Sequence, residues 1–153
     1  MKISAGILMF RKRKNAIQFL LIHPGGPFFI RKEEGAWSIP KGEFMADEEP
    51  LAAAIREFEE ETGHRPSGNF IALNPIMQKG GKKVLCWAVE GDLDHEQIKS
   101  NTFEMEWPPR SGKMKNFPEI DKAGWFGIAE AMQLINEKQV PLLEELLSKK
   151  GVI

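Results

Sequence analysis

The 153-residue chain is poor in cysteine, in net charge and in long apolar runs, and each shortage excludes a class of protein. A single cysteine, Cys86, excludes an internal disulfide and fits a reducing compartment. A net charge of −1 offers no general attraction for nucleic acid. The apolar segment 3–10 is too short to cross a membrane, and basic residues 11–14 follow it, the reverse of a signal peptide. We therefore expect a cytoplasmic protein without membrane partners.

The length predicts one domain, residues 1–153, with a sizeable core. Its hydrophobic fraction of 42% and charged fraction of 28% are typical of globular proteins. Alternating β-type and helical patterns predict an α/β fold with a mixed sheet between helices. The expected strands are 2–11, 16–22, 69–78, 83–90 and 123–126, and the expected helices are 50–62, 128–136 and 141–149.

The most informative stretch is 42–63, because its second half carries clear helix signals. Pro50 suits a first helical position and Gly63 suits the residue just past the end. Apolar residues recur at helical spacing and predict one buried stripe. This stripe consists of Leu51, Ile55, Phe58 and Thr62.

On the other side of this helix, Glu57, Glu60 and Glu61 share one face. Glutamates three and four positions apart repel each other, and they lie at the helix end where cations are favoured. Arg56 is the only cation inside the helix. Three carboxylates on one rigid face suit a hard ion such as Mg²⁺. The alternative is a solvated acidic face, which needs no metal.

The stretch resembles the Nudix box, a glycine, a glutamate and an R-E-U-x-E-E-x-G run at fixed spacings. The matching residues are Gly42, Glu48, Arg56, Glu57, Phe58, Glu60, Glu61 and Gly63. One position departs, because His64 stands where the pattern has a bulky apolar residue. The resemblance implies a Nudix-type α/β/α sandwich that hydrolyses a nucleoside diphosphate linked to another group, with Mg²⁺ or Mn²⁺ as the metal.

The resemblance also implies roles for individual residues. The metal ligands would be Glu57, Glu60, Glu61 and the carbonyl of Gly42. Arg56 would orient the carboxylates. Glu48 would either pair with Arg56 or lie just outside the metal ligands.

The general base is left open between two residues. Glu57 is favoured because it is fixed on a helix beside Arg56, whereas Glu119 lies in the chain shortly before the final strand.

The segment Trp37-Ser38-Ile39-Pro40-Lys41-Gly42 is expected to form a short strand that leads into the box. It resembles the variant found in Nudix hydrolases of diadenosine tetraphosphate, diphosphoinositol polyphosphates and RNA 5′ ends. We expect Lys41 to place a positive charge near the phosphates and Trp37 to contact the substrate.

Residues 100–112 read as a long loop, which in a compact domain is usually functional or mobile. There Trp107 is expected to stack on a base and Arg110 to bind phosphate.

These features favour a small-molecule nucleotide as substrate, with dinucleoside polyphosphates first. An RNA 5′-end pyrophosphohydrolase and a non-catalytic nucleotide sensor are the alternatives. The sequence leaves the oligomeric state open.

Overall fold

A seven-stranded mixed sheet forms the centre of the computed structural model, which describes residues 2–152. The ends of the expected domain, Met1 and Ile153, lie outside these residues. In chain order, the elements are β1 (Ile3–Arg13), β2 (Ala16–Pro24), β3 (Lys41–Glu43), α1 (Pro50–Thr62), β4 (Ile71–Ala72), β5 (Ile76–Gln78), β6 (Lys82–Glu90), β7 (Thr102–Glu106), β8 (Met114–Pro118), β9 (Ile120–Gly127), α2 (Ile128–Leu134) and α3 (Val140–Lys149).

Strand β1 lies at the middle of the sheet and sets its mixed character. It runs parallel to β6 and antiparallel to both β2 and β3. The turn between β1 and β2 is formed by Lys14 and Asn15, both with positive φ, as a two-residue hairpin turn requires. β9 then pairs with β2 and forms one edge of the sheet.

The sheet buries both of its faces, and this confirms the predicted sandwich. On one face, Ala5 and Ile7 of β1 pack in a cluster with Phe58 of α1. On the other face, Leu8 and Phe10 pack in a cluster with the leucines of α3. Successive β1 side chains point to opposite faces, so the nearly unbroken apolar run of β1 supplies both cores.

Helix α1 has the predicted bounds. The Glu49 side chain accepts hydrogen bonds from the backbone N–H groups of Leu51 and Ala52, and Gly63 follows the helix with φ 79°. The buried stripe differs from the predicted one, because Leu51 and Ile55 are only half-buried. Two small residues take the central positions, where they let the helix approach the sheet closely. The fully buried residues are Ala53, Ala54, Phe58 and Thr62.

The prediction of a structureless loop at 100–112 is wrong. Strands β7 and β8 pair as a separate antiparallel hairpin, with Arg110 in its turn region. Alternate residues of β7 are half-buried and exposed, so this strand has one packed face and one solvated face. The polar side chains that suggested a loop, such as Glu104 and Glu106, lie on the exposed face.

Two predicted strands are also interrupted. Segment 69–78 forms two short strands, β4 and β5, with Pro75 between them, as expected for a residue that cannot donate a ladder hydrogen bond. Segment 37–42 is not one strand: Trp37 and Ser38 make isolated bridges, and β3 begins only at Lys41. Within residues 2–152, every helix is too short or too polar to span a membrane.

Candidate metal and phosphate site

The site begins where β3 passes beside α1. Gly42 pairs with Ala5 of β1, and the carboxylate of Glu57 lies directly against it. A Cβ atom at position 42 would be 2.0 Å from Oε2 of Glu57, a distance that real atoms do not adopt. The absence of a side chain at Gly42 therefore makes the space that the Glu57 carboxylate fills.

Arg56 organises the carboxylates on this side of α1. Its Nε and Nη2 donate to the two oxygens of Glu48, at 2.7 and 2.8 Å. Its Nη1 donates to Oε1 of Glu57 at 2.9 Å and to Oε1 of Glu60 at 3.1 Å. The hydrogen bonds to Glu48, foremost, raise the pKa of Arg56 above its usual range. The predicted pairing of Arg56 with Glu48 is confirmed.

Glu61 lies deeper than the other box glutamates. The backbone N–H of Lys41 donates to its Oε1 at 3.1 Å, which ties the end of α1 to the start of β3. Burial raises the pKa of Glu61 to about 8, and the nearby carboxylates of Glu57 and Glu119 add to this effect. Burial also raises the pKa of Glu57. Like charges and partial desolvation both favour the protonated carboxyl.

One cavity of about 210 Å³ gathers residues from distant parts of the chain. Lys41, Glu61 and Glu119 all line it, together with Ser38 and the apolar side chains of β2 and β9. Burial, followed by repulsion from Lys82, lowers the pKa of Lys41. Within residues 2–152 its ammonium group makes no ion pair, so it can contact an anion that enters. We call this space the carboxylate cavity.

The donor set fits a hard divalent cation. Glu57, Glu60 and Glu61 each use Oε1 in a positioning hydrogen bond, and within residues 2–152 their Oε2 atoms accept none. Carboxylate oxygens of this kind suit Mg²⁺. In the part of the chain that the structure describes, no three His, Cys, Asp or Glu side chains are already drawn together around one point. The fit of a divalent cation therefore rests on the chemistry of these carboxylate donors and on the space at Gly42.

The predicted substrate-binding residues separate into two groups. Lys41 lines the carboxylate cavity, whereas Trp37 is in the core with 5% of its surface exposed. The Trp37 indole donates to Glu33 and packs edge-on against Phe126, so the structure gives this residue a packing role. Its expected contact with substrate is not supported, because almost no surface remains for it.

Trp107 and Arg110 lie away from the carboxylates, on the hairpin. Trp107 is half-buried, packs edge-on against Phe28 and lines a second, larger groove. Arg110 is exposed at the tip with φ 62°, and its backbone N–H donates to Glu106. Arg110 lines neither cavity, and its role as a phosphate ligand stays a prediction.

Sequence reasoning missed the contacts that hold the loop after β2 in place. His23 is fully buried, with Nδ1 2.8 Å from Oδ1 of Asp121 and Nε2 2.6 Å from the carbonyl of Lys32. His23 and Asp121 are 98 positions apart in the sequence, so their contact was not expected. The available signal in the sequence was Asp121, the acidic residue two positions after Glu119. Only the pairing of β2 with β9 brings Asp121 beside His23.

Comparisons with known proteins identify the family and the fold. The family profile described as "NUDIX domain" matches residues 1–146. An Ap4A hydrolase from C. elegans, solved as a binary complex, is similar in structure, with a TM-score of 0.69, 20% identity and full coverage of both chains. A mutT/nudix family protein from Listeria innocua has a TM-score of 0.64 at 18% identity, covering 98% of this chain and 94% of that chain.

A third similar structure is the NUDIX domain of Shewanella oneidensis NrtR complexed with ADP ribose. Its TM-score is 0.61 at 15% identity, with 97% of this chain and 87% of that chain covered. A search of curated protein sequences found no match. At these identities the structural likenesses show the fold. The family match covers nearly the whole chain, so the protein belongs to the Nudix family of pyrophosphohydrolases, which typically use a divalent metal.

We expect Gly42→Ala to impair metal binding while leaving the fold intact. The three atoms nearest to the added methyl group all belong to the flexible end of Glu57, so the carboxylate must move while the backbone can stay. The measurement is the rise in Tm caused by Mg²⁺, which should be much smaller than in wild type. Gly127→Ala is the matched control, because a Cβ there meets nothing within 4 Å. A wild-type shift in Gly42→Ala would contradict the expectation.

We expect Glu61 to make the metal-free protein less stable as the pH rises. Its folded-state pKa of about 8 lies above the ordinary value of 4.5, so the folded protein holds a proton that the unfolded chain releases between these values. Unfolding free energy therefore falls with rising pH across that window. Thermal unfolding in chelator should show wild type losing stability relative to Glu61→Gln from pH 4.5 to 8. Identical pH profiles for the two proteins would refute this.

Proposed function

We propose that residues 1–153 form one Nudix domain that hydrolyses a nucleoside diphosphate linked to another group, with Mg²⁺ or Mn²⁺, in the cytoplasm. Dinucleoside polyphosphates are the proposed substrate class. One observation carries the proposal: Lys41, Glu61 and Glu119 line one cavity, beside the Glu57 carboxylate that fills the space at Gly42. A cation and two carboxylates that line one cavity suit a polyphosphate that arrives with divalent ions.

Each residue has a defined task in this proposal. A bound divalent ion would supply charge neutralisation on the phosphates and a lower pKa for water. Glu57, Glu60 and Glu61 would hold it, with the Gly42 carbonyl. Lys41 would bind a phosphate oxygen as a point positive charge. These contacts position the anhydride and stabilise the charge that develops on its oxygens.

Arg56 keeps the carboxylates in place and does not itself need to touch substrate. It occupies Oε1 of Glu57 and leaves Oε2 on the side of Gly42. We assign Glu57 as the group that accepts the proton of the attacking water, because its position on α1 is fixed. Glu119 is the competing candidate, since it lines the carboxylate cavity and is exposed at the start of β9.

The substrate class has two supports. The sequence from Trp37 to Gly42 resembles the variant found in hydrolases of diadenosine tetraphosphate. The C. elegans Ap4A hydrolase also shares the fold over the whole chain. Both supports concern likeness, so the class needs a direct assay.

We expect diadenosine tetraphosphate to be hydrolysed with a higher kcat/KM than nucleoside triphosphates, ADP-ribose or 5′-triphosphorylated RNA. The assay is a substrate panel with Mg²⁺, with products resolved by chromatography. A tenfold advantage for triphosphates or ADP-ribose would reject the class, and an advantage for RNA would favour 5′-end processing. Binding without turnover of any substrate would indicate a sensor.

A double variant tests the metal site in this panel, and a single variant on the same helix is its control. Glu60→Gln combined with Glu61→Gln should abolish both turnover and the Mg²⁺-induced rise in Tm. Glu59→Gln should change neither, because Glu59 is exposed on the same helix and pairs with Arg65 instead.

We expect Glu57→Gln to reduce kcat more than Glu119→Gln at saturating Mg²⁺. A general base contributes about 10²–10⁴-fold, and excess metal cannot restore a missing proton acceptor. The measurement is kcat against pH for both variants. The assignment is wrong if Glu119→Gln costs at least a hundredfold and removes the acidic limb, while extra metal rescues Glu57→Gln.

A further inference from the structure

A β-bulge interrupts the pairing of β2 with β9 beside the carboxylate cavity. His23 pairs with Lys122, whereas the next residue of β2, Pro24, pairs with Ile120. Asp121 therefore lies between two pairs and is opposite no residue of β2. An extra residue of this kind bends its strand and redirects the side chains beyond it, and such bulges are frequent next to active sites.

The bulge turns the start of β9 toward the carboxylate cavity. In a regular strand, residues two positions apart point to the same side of the sheet, so Ile120 would share the side of Lys122. The Lys122 ammonium lies over the ring of Trp37 on that side. Ile120 instead shares the side of its partner Pro24, and both of them line the cavity together with Glu119.

The side chain of the extra residue is held by His23. Oδ1 of Asp121 lies 2.8 Å from Nδ1 of His23, and Nε2 of the same ring lies 2.6 Å from the carbonyl oxygen of Lys32. The ring also packs edge-on against Trp37, with centroids 5.2 Å apart. His23 is fully buried. The imidazole is therefore fixed at both nitrogens, and it fixes the Asp121 carboxylate in turn.

The backbone beyond the bulge is held from two sides. The N–H of Glu119 donates to the carbonyl of Asn101 at 2.8 Å, and the carbonyl of Glu119 accepts from the N–H of Gly25 at 2.8 Å. The N–H of Ile120 donates to Oγ of Ser100 at 3.1 Å. A slip of β9 by one residue would remove the bulge, and it would also pull Glu119 away from both of its backbone partners.

We propose that His23 and Asp121 are positioning residues for the reaction, because by holding the bulge they keep Glu119 where it lines the carboxylate cavity. His23 is fully buried and acts only through Asp121. Displacing a group by about 1 Å in an active site can cost about a hundredfold in rate. The catalytic meaning of this inference rests on the proposed function, whereas the placement of Glu119 requires no turnover.

Two substitutions at His23 each keep one of its two contacts. The amide nitrogen of Asn takes the place of Nδ1, so His23→Asn keeps a donor for Asp121 and loses the contact with Lys32. The longer Gln takes the place of Nε2, so His23→Gln keeps the contact with Lys32 and loses Asp121. With the best substrate of the panel, His23→Gln should lower kcat about tenfold at unchanged KM, and His23→Asn should restore the wild-type kcat.

The cost of His23→Gln should depend on Glu119. In a Glu119→Gln background it should disappear, because the group that the pair positions has already lost its charge. Lys122→Gln is the matched control, since it breaks the ion pair with Glu33 of the loop after β2 and leaves Asp121 in place. This control should retain the wild-type kcat.

Amide hydrogen exchange provides a readout that needs no turnover. The N–H groups of Glu119 and Ile120 should exchange at least about fivefold faster in His23→Gln, as the loss of one hydrogen bond predicts. They should exchange at the wild-type rate in His23→Asn and in Lys122→Gln. Unchanged exchange in His23→Gln would overturn the proposal, as would equal losses of kcat in both His23 variants or an undiminished cost in the Glu119→Gln background.

If either His23 variant fails to fold, Asp121 decides, because its side chain is partly exposed and can be shortened without opening the core. Asp121→Ala should accelerate exchange at Glu119, whereas Asp121→Asn, which keeps an acceptor oxygen, should not. Equal exchange in these two variants would overturn the proposal. Failure of the substrate panel would remove the proposed function alone, and the exchange rates would still show whether the pair holds Glu119.

Discussion

The contact between Gly42 and the carboxylate of Glu57 constrains the rest of the candidate site. It exists because α1 packs closely on the sheet through Ala53 and Ala54, and because Phe58 anchors the helix in the core. Only a residue without a side chain leaves room for a carboxylate this near to β3. The core packing of α1 and the placement of its acidic face are therefore one feature of the fold.

Arg56 reduces the like-charge repulsion between glutamates that the sequence predicts. Its guanidinium contacts Glu48, Glu57 and Glu60 at once, so part of the repulsion is balanced without an ion. Such partly exposed ion pairs add little to stability on their own. Their geometric effect is larger, because the planar guanidinium grips both oxygens of Glu48 and holds Glu57 and Glu60 by one oxygen each.

What the sequence predicts well is local. The bounds of α1 follow from Pro50 and Gly63, and the pairing of Arg56 with Glu48 lies within one short stretch. What it misses depends on pairing between distant segments. The hairpin β7–β8 and the meeting of Glu119 with Glu61 arise only when the sheet forms. Trp37 shows a further limit, because an aromatic residue beside a motif has the same letter whether it packs in the core or faces a ligand.

The carboxylate cavity and the larger groove lined by Trp107 adjoin each other at the end of the sheet. Gly25 and Pro118 approach so closely that a Cβ at position 25 would overlap the Pro118 carbonyl oxygen. The loop after β2 and the end of β8 are therefore in direct backbone contact. Residues on either side of this junction line different spaces. Pro24 and Glu119 line the carboxylate cavity, and Gly26 and Pro118 line the larger groove that Trp107 also lines. These backbone contacts set the distance between the two spaces in the structure. Backbone packing therefore sets the length of ligand needed to reach both spaces, while the side chains that line each space set its charge and polarity.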